Sequence, residues 1–164
     1  MKQITQDSVM KDTPASFDAG ALAARLAFAL LFVPAGFGKL QGFTGLAGYI
    51  ASKGVPLPQV AAAMAIGAEL GLGLLLLVGL QTRWAALGLS IFVAVITPIF
   101  HNYWGAAPEQ VMLQQQMFFK NLGLAGGLAL LAAVGAGRWS VDAWRGRRDG
   151  FAGLPGAPAR VNAG

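Results

Sequence analysis

The stretch AAAMAIGAELGLGLLLLVGL, residues 61–80, decides how the rest of the chain is read. Twenty apolar residues of this kind make a helix about 30 Å long, the thickness of a bilayer's hydrocarbon core. One residue breaks the pattern, Glu69. An unpaired charge at that depth costs at least about 2.5 kcal/mol, so the carboxyl must be protonated, paired or beside water. Counted from a helix start at Pro58, Glu69 lies about 16 Å below the outer end, close to the membrane midplane. The residues one and two turns away are Ala62, Ala65, Gly73 and Leu76, mostly small. A small-residue face lets a neighbouring helix come close, which predicts that Glu69 faces the bundle interior.

The whole chain shares this apolar character. Its 164 residues are 55% hydrophobic and 12% charged, with a mean hydropathy of +0.58, where a soluble domain carries about a quarter charged residues. Four segments are long enough to cross a membrane, at approximately 20–40, 58–80, 83–100 and 117–136. The first follows Lys2 and Lys11 as a signal peptide would, but its run is too long and Pro34, Gly36 and Lys39 make a poor cleavage site. It reads as a retained helix. The expected architecture is all-α: an antiparallel bundle of four transmembrane helices over 20–145, after a polar lead at 1–19 and before a flexible Gly, Pro and Ala-rich tail at 146–164. Only Gln81 and Thr82 separate the second and third helices, which forces a hairpin and makes Thr82 a candidate N-cap.

Charge sets the orientation. Lys2, Lys11, Arg25, Arg83, Arg138, Arg145, Arg147, Arg148 and Arg160 share one side of the predicted bundle, against Lys39, Lys53 and Lys120 on the other. That asymmetry predicts a multi-pass inner-membrane protein with both termini cytoplasmic. Trp84, Trp139 and Trp144 fall at the cytoplasmic helix ends, and Tyr103 and Trp104 at the outer one, where amphipathic rings prefer to lie. The net charge of +5 is therefore topological. No basic groove interleaved with aromatics is present, which excludes a nucleic-acid partner. With no cysteine there is no disulfide, thiolate metal site or dithiol chemistry, and one histidine makes no bis-histidine haem site. No haem, flavin or metal motif is present, so electron transfer would require a bound cofactor and an external donor.

Several polar residues join Glu69 as candidates. Arg25, Phe28, Phe32, Gly36 and Lys39 form one stripe on the first helix, with Arg25 expected to pair with Glu69 and tune it. Pro34 removes a backbone donor and frees the carbonyl of Leu30, predicting a kink between the two basic residues. His101 closes the third helix, and Lys120 with Asn121 opens the fourth after Gln114, Gln115 and Gln116. These groups match the head of a quinone. Glu69 and His101 would exchange its protons, Arg25, Lys39, Lys120 and Asn121 would hold it, and Phe28, Phe32, Phe118 and Phe119 would pack on the ring. The same residues also read as a structural Glu69–Arg25 pair with interfacial lysines. The string GFGK at 36–39 lacks the spacing of a phosphate loop and reads as helix packing, as do Gly67 with Gly71 and Gly123 with Gly127.

Three strings carry a family resemblance: RLAFALLFVPAGFGKL, then AELGLGLLLLVGLQTRWAALGLSIFVAVITPIFH, then FFKNLGLAGGLALLAAVGAGRWSVD. Over about residues 22–142 the chain resembles the DoxX family of four-helix bacterial membrane proteins. The resemblance implies an inner-membrane protein of a family described as oxidoreductases, some similar to small subunits of quinone-linked sulfur oxidation complexes. Others act beside superoxide dismutase or rhodanese-like enzymes. The family's recurrent polar residues correspond here to Arg25, Lys39, Glu69, Arg83, His101, Lys120 and Asn121. The expectation is a quinone-binding subunit of an oxidoreductase system, whose partners are membrane lipid, a redox protein and, in an oligomer, further copies of itself. A non-enzymatic anchor or assembly subunit is the first alternative. A small-molecule or proton-coupled transporter is the second.

Overall fold

The computed structural model describes residues 14–152. The first thirteen residues of the expected lead, and the tail from residue 153, lie outside the described residues. The chain forms α1 (Ala15–Gln41), α2 (Phe43–Ser52), α3 (Pro58–Val78), α4 (Thr82–Phe100), α5 (Val111–Val134) and α6 (Val141–Ala152), with a short 3-10 turn at Tyr103–Gly105. Helices α1, α3, α4 and α5 are long and apolar enough to cross a membrane. No strand occurs among the described residues. The all-α, four-span bundle expected from hydropathy is the observed fold.

The spans alternate in direction, so two ends can be named by their residues. At the Arg25 end lie the start of α1, the α3–α4 turn, the end of α5 and α6. At the Lys39 end lie the end of α1, α2, the α4–α5 connection and its aromatics. The α3–α4 turn reverses the chain through left-handed Gly79 (φ 71°) and Gln81 (φ 48°). A side chain at position 79 would also collide with the guanidinium of Arg25, a second reason for glycine there.

Helix α1 runs unbroken through Pro34 and buries Asp18, Ala21, Arg25, Ala29, Phe32 and Gly36, a stripe at three- and four-residue spacings. It starts ahead of residue 20 because Asp18 belongs to the interior, only 1% exposed. The core joins Phe32 of α1, Leu76 of α3, Leu89 and Val93 of α4, and Leu128 and Leu131 of α5. Between α4 and α5, Ser90 Oγ donates to the Ala125 carbonyl at 2.8 Å, satisfying a hydroxyl that lipid could not. Helix α2, in the stretch between the first two expected spans, packs Ala47 and Ile50 on Ala62 at the start of α3.

Close helix approach occurs at Gly36 of the GFGK string and at Gly73 on the small-residue face of Glu69, both expected to pack. A Cβ on Gly36 would lie 3.0 Å from the Leu70 backbone nitrogen, and one on Gly73 would lie 3.0 Å from Val33 Cγ2. These two positions bring α1 against α3. Of the two small-xxx-small pairs, Gly127 touches a neighbour, with Phe28 Cζ at 3.1 Å, while Gly67, Gly71 and Gly123 have nothing within 4 Å. Those three glycines are exposed: the buried face of α3 carries Ala62, Glu69, Gly73 and Leu76, and that of α5 carries Ala125, Leu128 and Leu131.

Candidate functional site

Glu69 lies where α3 changes character. The helix is α-helical at Pro58–Ile66 and again at Gly73–Val78, but widens to a π-helical turn over Gly67–Leu72. Three glycines in that turn and at its exit (Gly67, Gly71 and Gly73) lower the cost of the irregular backbone, and such insertions recur at functional sites. Opposite the π turn, α1 closes in through Gly36, and one turn later Lys39 reaches back. Its ammonium donates to both carboxylate oxygens of Glu69, at 2.5 and 2.6 Å. The carboxylate side chain is 5% exposed and the lysine side chain 33%. The acid is thus buried while its cation retains an open side.

This ion pair forms part of the wall of a cavity of about 620 Å³ between α3 and α4. The space exists because α3 lines it with Ala61, Ala65 and Ala68 as well as Glu69, and α4 begins its lining face at Gly88. From Gly88 the face runs through Phe92 and Ile96 to His101, about 20 Å along the helix axis at 1.5 Å per residue. Helix α2 closes the Lys39 end with Tyr49 and Ile50. His101 Nδ1 lies 3.0 Å from Gln114 Oε1. With that oxygen as acceptor, Nδ1 carries the proton and Nε2 is the ring's acceptor. The result is an apolar chamber with an ammonium–carboxylate pair toward one end and an imidazole at the other.

The expected partner of Glu69 is elsewhere. Arg25 is buried, 2% exposed, and donates to the carbonyls of Ala136 at 3.1 Å and Trp139 at 2.8 Å, in the connection between α5 and α6. Fourteen residues separate it from Lys39 on a continuous helix, about 21 Å, beyond an arginine's reach. The Glu69–Arg25 pair is therefore replaced by Glu69–Lys39, and Lys39 turns inward where an interfacial lysine would turn to water. Phe32 packs in the core, Phe28 packs on Gly127, and neither lines the cavity. Lys120 is exposed with its ammonium on Met117 Sδ at 3.1 Å, and Asn121 is half-buried; both lie outside the cavity lining. Phe118 and Phe119 stack with Tyr103 and Trp104 in an aromatic cluster of their own.

At the Arg25 end a second polar cluster fastens the 135–142 segment to the bundle. Asp18 accepts from the Arg138 backbone at 2.7 Å and from its Nε at 2.6 Å. Asp142 accepts from the backbone nitrogens of Gln81 at 2.7 Å and Thr82 at 2.9 Å, capping α4 from another helix. That displaces Thr82 from its expected capping role and leaves its hydroxyl buried without a partner. Arg83 donates to the Ala133 carbonyl at 2.8 Å, near the end of α5. Gln114, Asp18 and Asp142 were the residues missed as site members. Asp18 and Asp142 border apolar runs, and an acid so placed is a detectable signal for a buried cap.

These features define a four-span membrane protein with a charged pair at the wall of an intramembrane cavity. The DoxX family model matches residues 20–102, a range that holds every residue lining that cavity. The chain is 38% identical over 133 residues to inner membrane protein YphA of Escherichia coli, covering 77% of this chain and 94% of that protein. It is also 38% identical over 128 residues to inner membrane protein YqjF of the same organism, covering 76% and 91%. The chain belongs to the DoxX family and is a multi-pass inner-membrane protein. No solved structure matches it.

Proposed function

We propose that this protein binds a quinone in the α3–α4 cavity, as the membrane subunit of a quinone-linked oxidoreductase system whose electrons come from a partner protein. The observation that carries the reading is the Lys39–Glu69 pair on the wall of a chamber of about 620 Å³, a size typical of small-ligand sites and otherwise mostly apolar. Its rim favours a ligand dissolved in the membrane. Met64, Ile91 and Val95 line it and are 70%, 55% and 56% exposed on helices that cross a bilayer, so the chamber opens toward lipid. A bound quinone supplies a two-electron, two-proton redox couple. Lys39 holds a carbonyl oxygen by donating a hydrogen bond, and Glu69 takes or returns a proton across its contact with Lys39. His101, held by Gln114, would pass a proton gained at Nε2 on to the reduced ring at the other end. The alanines and Gly88 leave room for a flat ring, and the apolar walls keep water from the pair.

The test is mass spectrometry of the organic extract of protein purified in mild detergent, wild type beside Glu69→Gln. Stoichiometric quinone in the wild type, lost in the variant, is the expected outcome. Quinone no more abundant than in a control membrane protein would leave the non-enzymatic anchor as the better reading.

A further inference from the structure

We propose that a cleft at the Arg25 end is a headgroup site for an anionic phospholipid, its phosphate held between Arg83 and Arg138. The cleft has a volume of about 650 Å³ and is bordered by Asp18, Arg83, Arg138 and Asp142, with Phe17 and Trp84 among its apolar walls. The two acids present no free face to an anion, because each already accepts at both oxygens: Asp18 from Arg138, and Asp142 from Gln81 and Thr82. The arginines keep donors in hand. Arg138 engages Asp18 through Nε, which leaves its two terminal nitrogens, and its side chain is 41% exposed. Arg83 gives one bond each from Nη1 and Nη2 to the carbonyls of Ala133 and Val134, leaving Nε and the second hydrogens. Arg25 stands behind the cleft, bonded to Ala136 on its wall. Two guanidinium groups thus border the cleft beside two consumed carboxylates, with a third buried behind it.

Depth and wall chemistry select a lipid. Trp84 and Trp139, 72% and 54% exposed, mark this end as the headgroup level, where indoles concentrate. Phosphate oxygens match the planar donor fork of arginine. The exposed Phe17, Trp84 and Val134 at the cleft continue the apolar surface of the spans, a seat for acyl chains that a free phosphate does not need. Basic pockets at such levels hold anionic headgroups in other membrane proteins. This site is separate from the cavity and does not depend on the quinone reading.

The experiment places the full chain in phosphatidylcholine nanodiscs with and without phosphatidylglycerol, and reads retained lipid by native mass spectrometry and the unfolding temperature. The wild type should retain phosphatidylglycerol over phosphatidylcholine and unfold at higher temperature with it. Arg83→Gln should lower that preference about fivefold, equivalent to about 1 kcal/mol for one arginine at an anionic surface, and Arg83→Lys should restore part of it. Asp18→Asn combined with Arg138→Gln should lower it again without stranding a buried carboxylate. Should that double variant not fold, the Arg83 pair decides. Equal retention of both lipids by the wild type, or an unchanged preference in Arg83→Gln, overturns the site. Inorganic phosphate that raises the unfolding temperature in phosphatidylcholine discs as much as phosphatidylglycerol does would overturn the lipid assignment in favour of free phosphate.

Discussion

The two ends of this bundle use buried charge in opposite ways. At the Arg25 end, charged side chains bond mainly to backbone: Arg25 to two carbonyls, Asp142 to two amides, Arg83 to the last turn of α5. At the Lys39 end the ion pair, among the described residues, bonds only within itself, beside a chamber. A charge that satisfies backbone groups is needed by the fold and is poorly placed to exchange partners. A charge paired only with another side chain can exchange its partner for a ligand at little structural cost.

The largest expected effect therefore falls at the end with no cavity chemistry. Arg25→Met removes a buried cation and strands the carbonyls of Ala136 and Trp139, and should cost about 3 kcal/mol, from one to three for each unsatisfied buried group. Thermal unfolding in detergent reads that loss. Folded Arg25→Met protein should still bind the cavity ligand as tightly as wild type, and weaker binding would show that the two ends are coupled.

Lys39→Met comes next. It leaves the Glu69 carboxylate buried without its cation, a defect worth about 3–5 kcal/mol in a closed interior and discounted here because the lysine is one-third exposed. About 2 kcal/mol is expected. Combining it with Glu69→Met should recover most of that stability, since an apolar pair of similar volume often replaces an ion pair without loss. Ligand should stay lost in the double variant. Recovered stability together with retained ligand would remove the pair from the site and leave it a register device.

How far these assignments could be foreseen also differs between the ends. The spans and the inward face of α3 that carries Glu69 were legible, because hydropathy and helical period report directly on burial. Partner choice was not. Arg25 and Lys39 lie on one stripe of α1, and only the depth at which α3 crosses it, set by Gly36 against Leu70, decides which reaches Glu69. The π turn is likewise invisible to a periodicity argument over six residues, though the glycines around it hint at irregular backbone. Asp142 capping α4 joins residues some sixty positions apart, a tertiary fact that local capping rules assign to Thr82 instead.

Smaller effects sharpen the contrast. Asp142→Ala should cost about 1 kcal/mol, the usual value of an N-cap, despite the distance in sequence. Gly36→Ala should cost about 1 kcal/mol, the low end of an overpacking penalty, by forcing α1 away from the π turn, and unlike Asp142→Ala it should also weaken ligand, because the same shift parts Lys39 from Glu69. A variant that lost stability but kept affinity would place the close approach outside the site.

The smallest effect is expected at Lys120. Sequence placed it beside the quinone with Asn121, yet its side chain is exposed on α5, its ammonium lies on Met117 Sδ, and it is absent from the cavity wall. An exposed lysine of this kind contributes to the membrane interface and little else, so Lys120→Ala should change stability by less than about 0.5 kcal/mol. Quinone in the organic extract should be unchanged as well. The comparison with Lys39→Met then isolates geometry from charge, since both variants remove one ammonium from the same end of the bundle. If Lys120→Ala lost ligand as Lys39→Met does, the ligand would have to bridge α5 to the Glu69 cavity, and the α3–α4 chamber would be only part of the site.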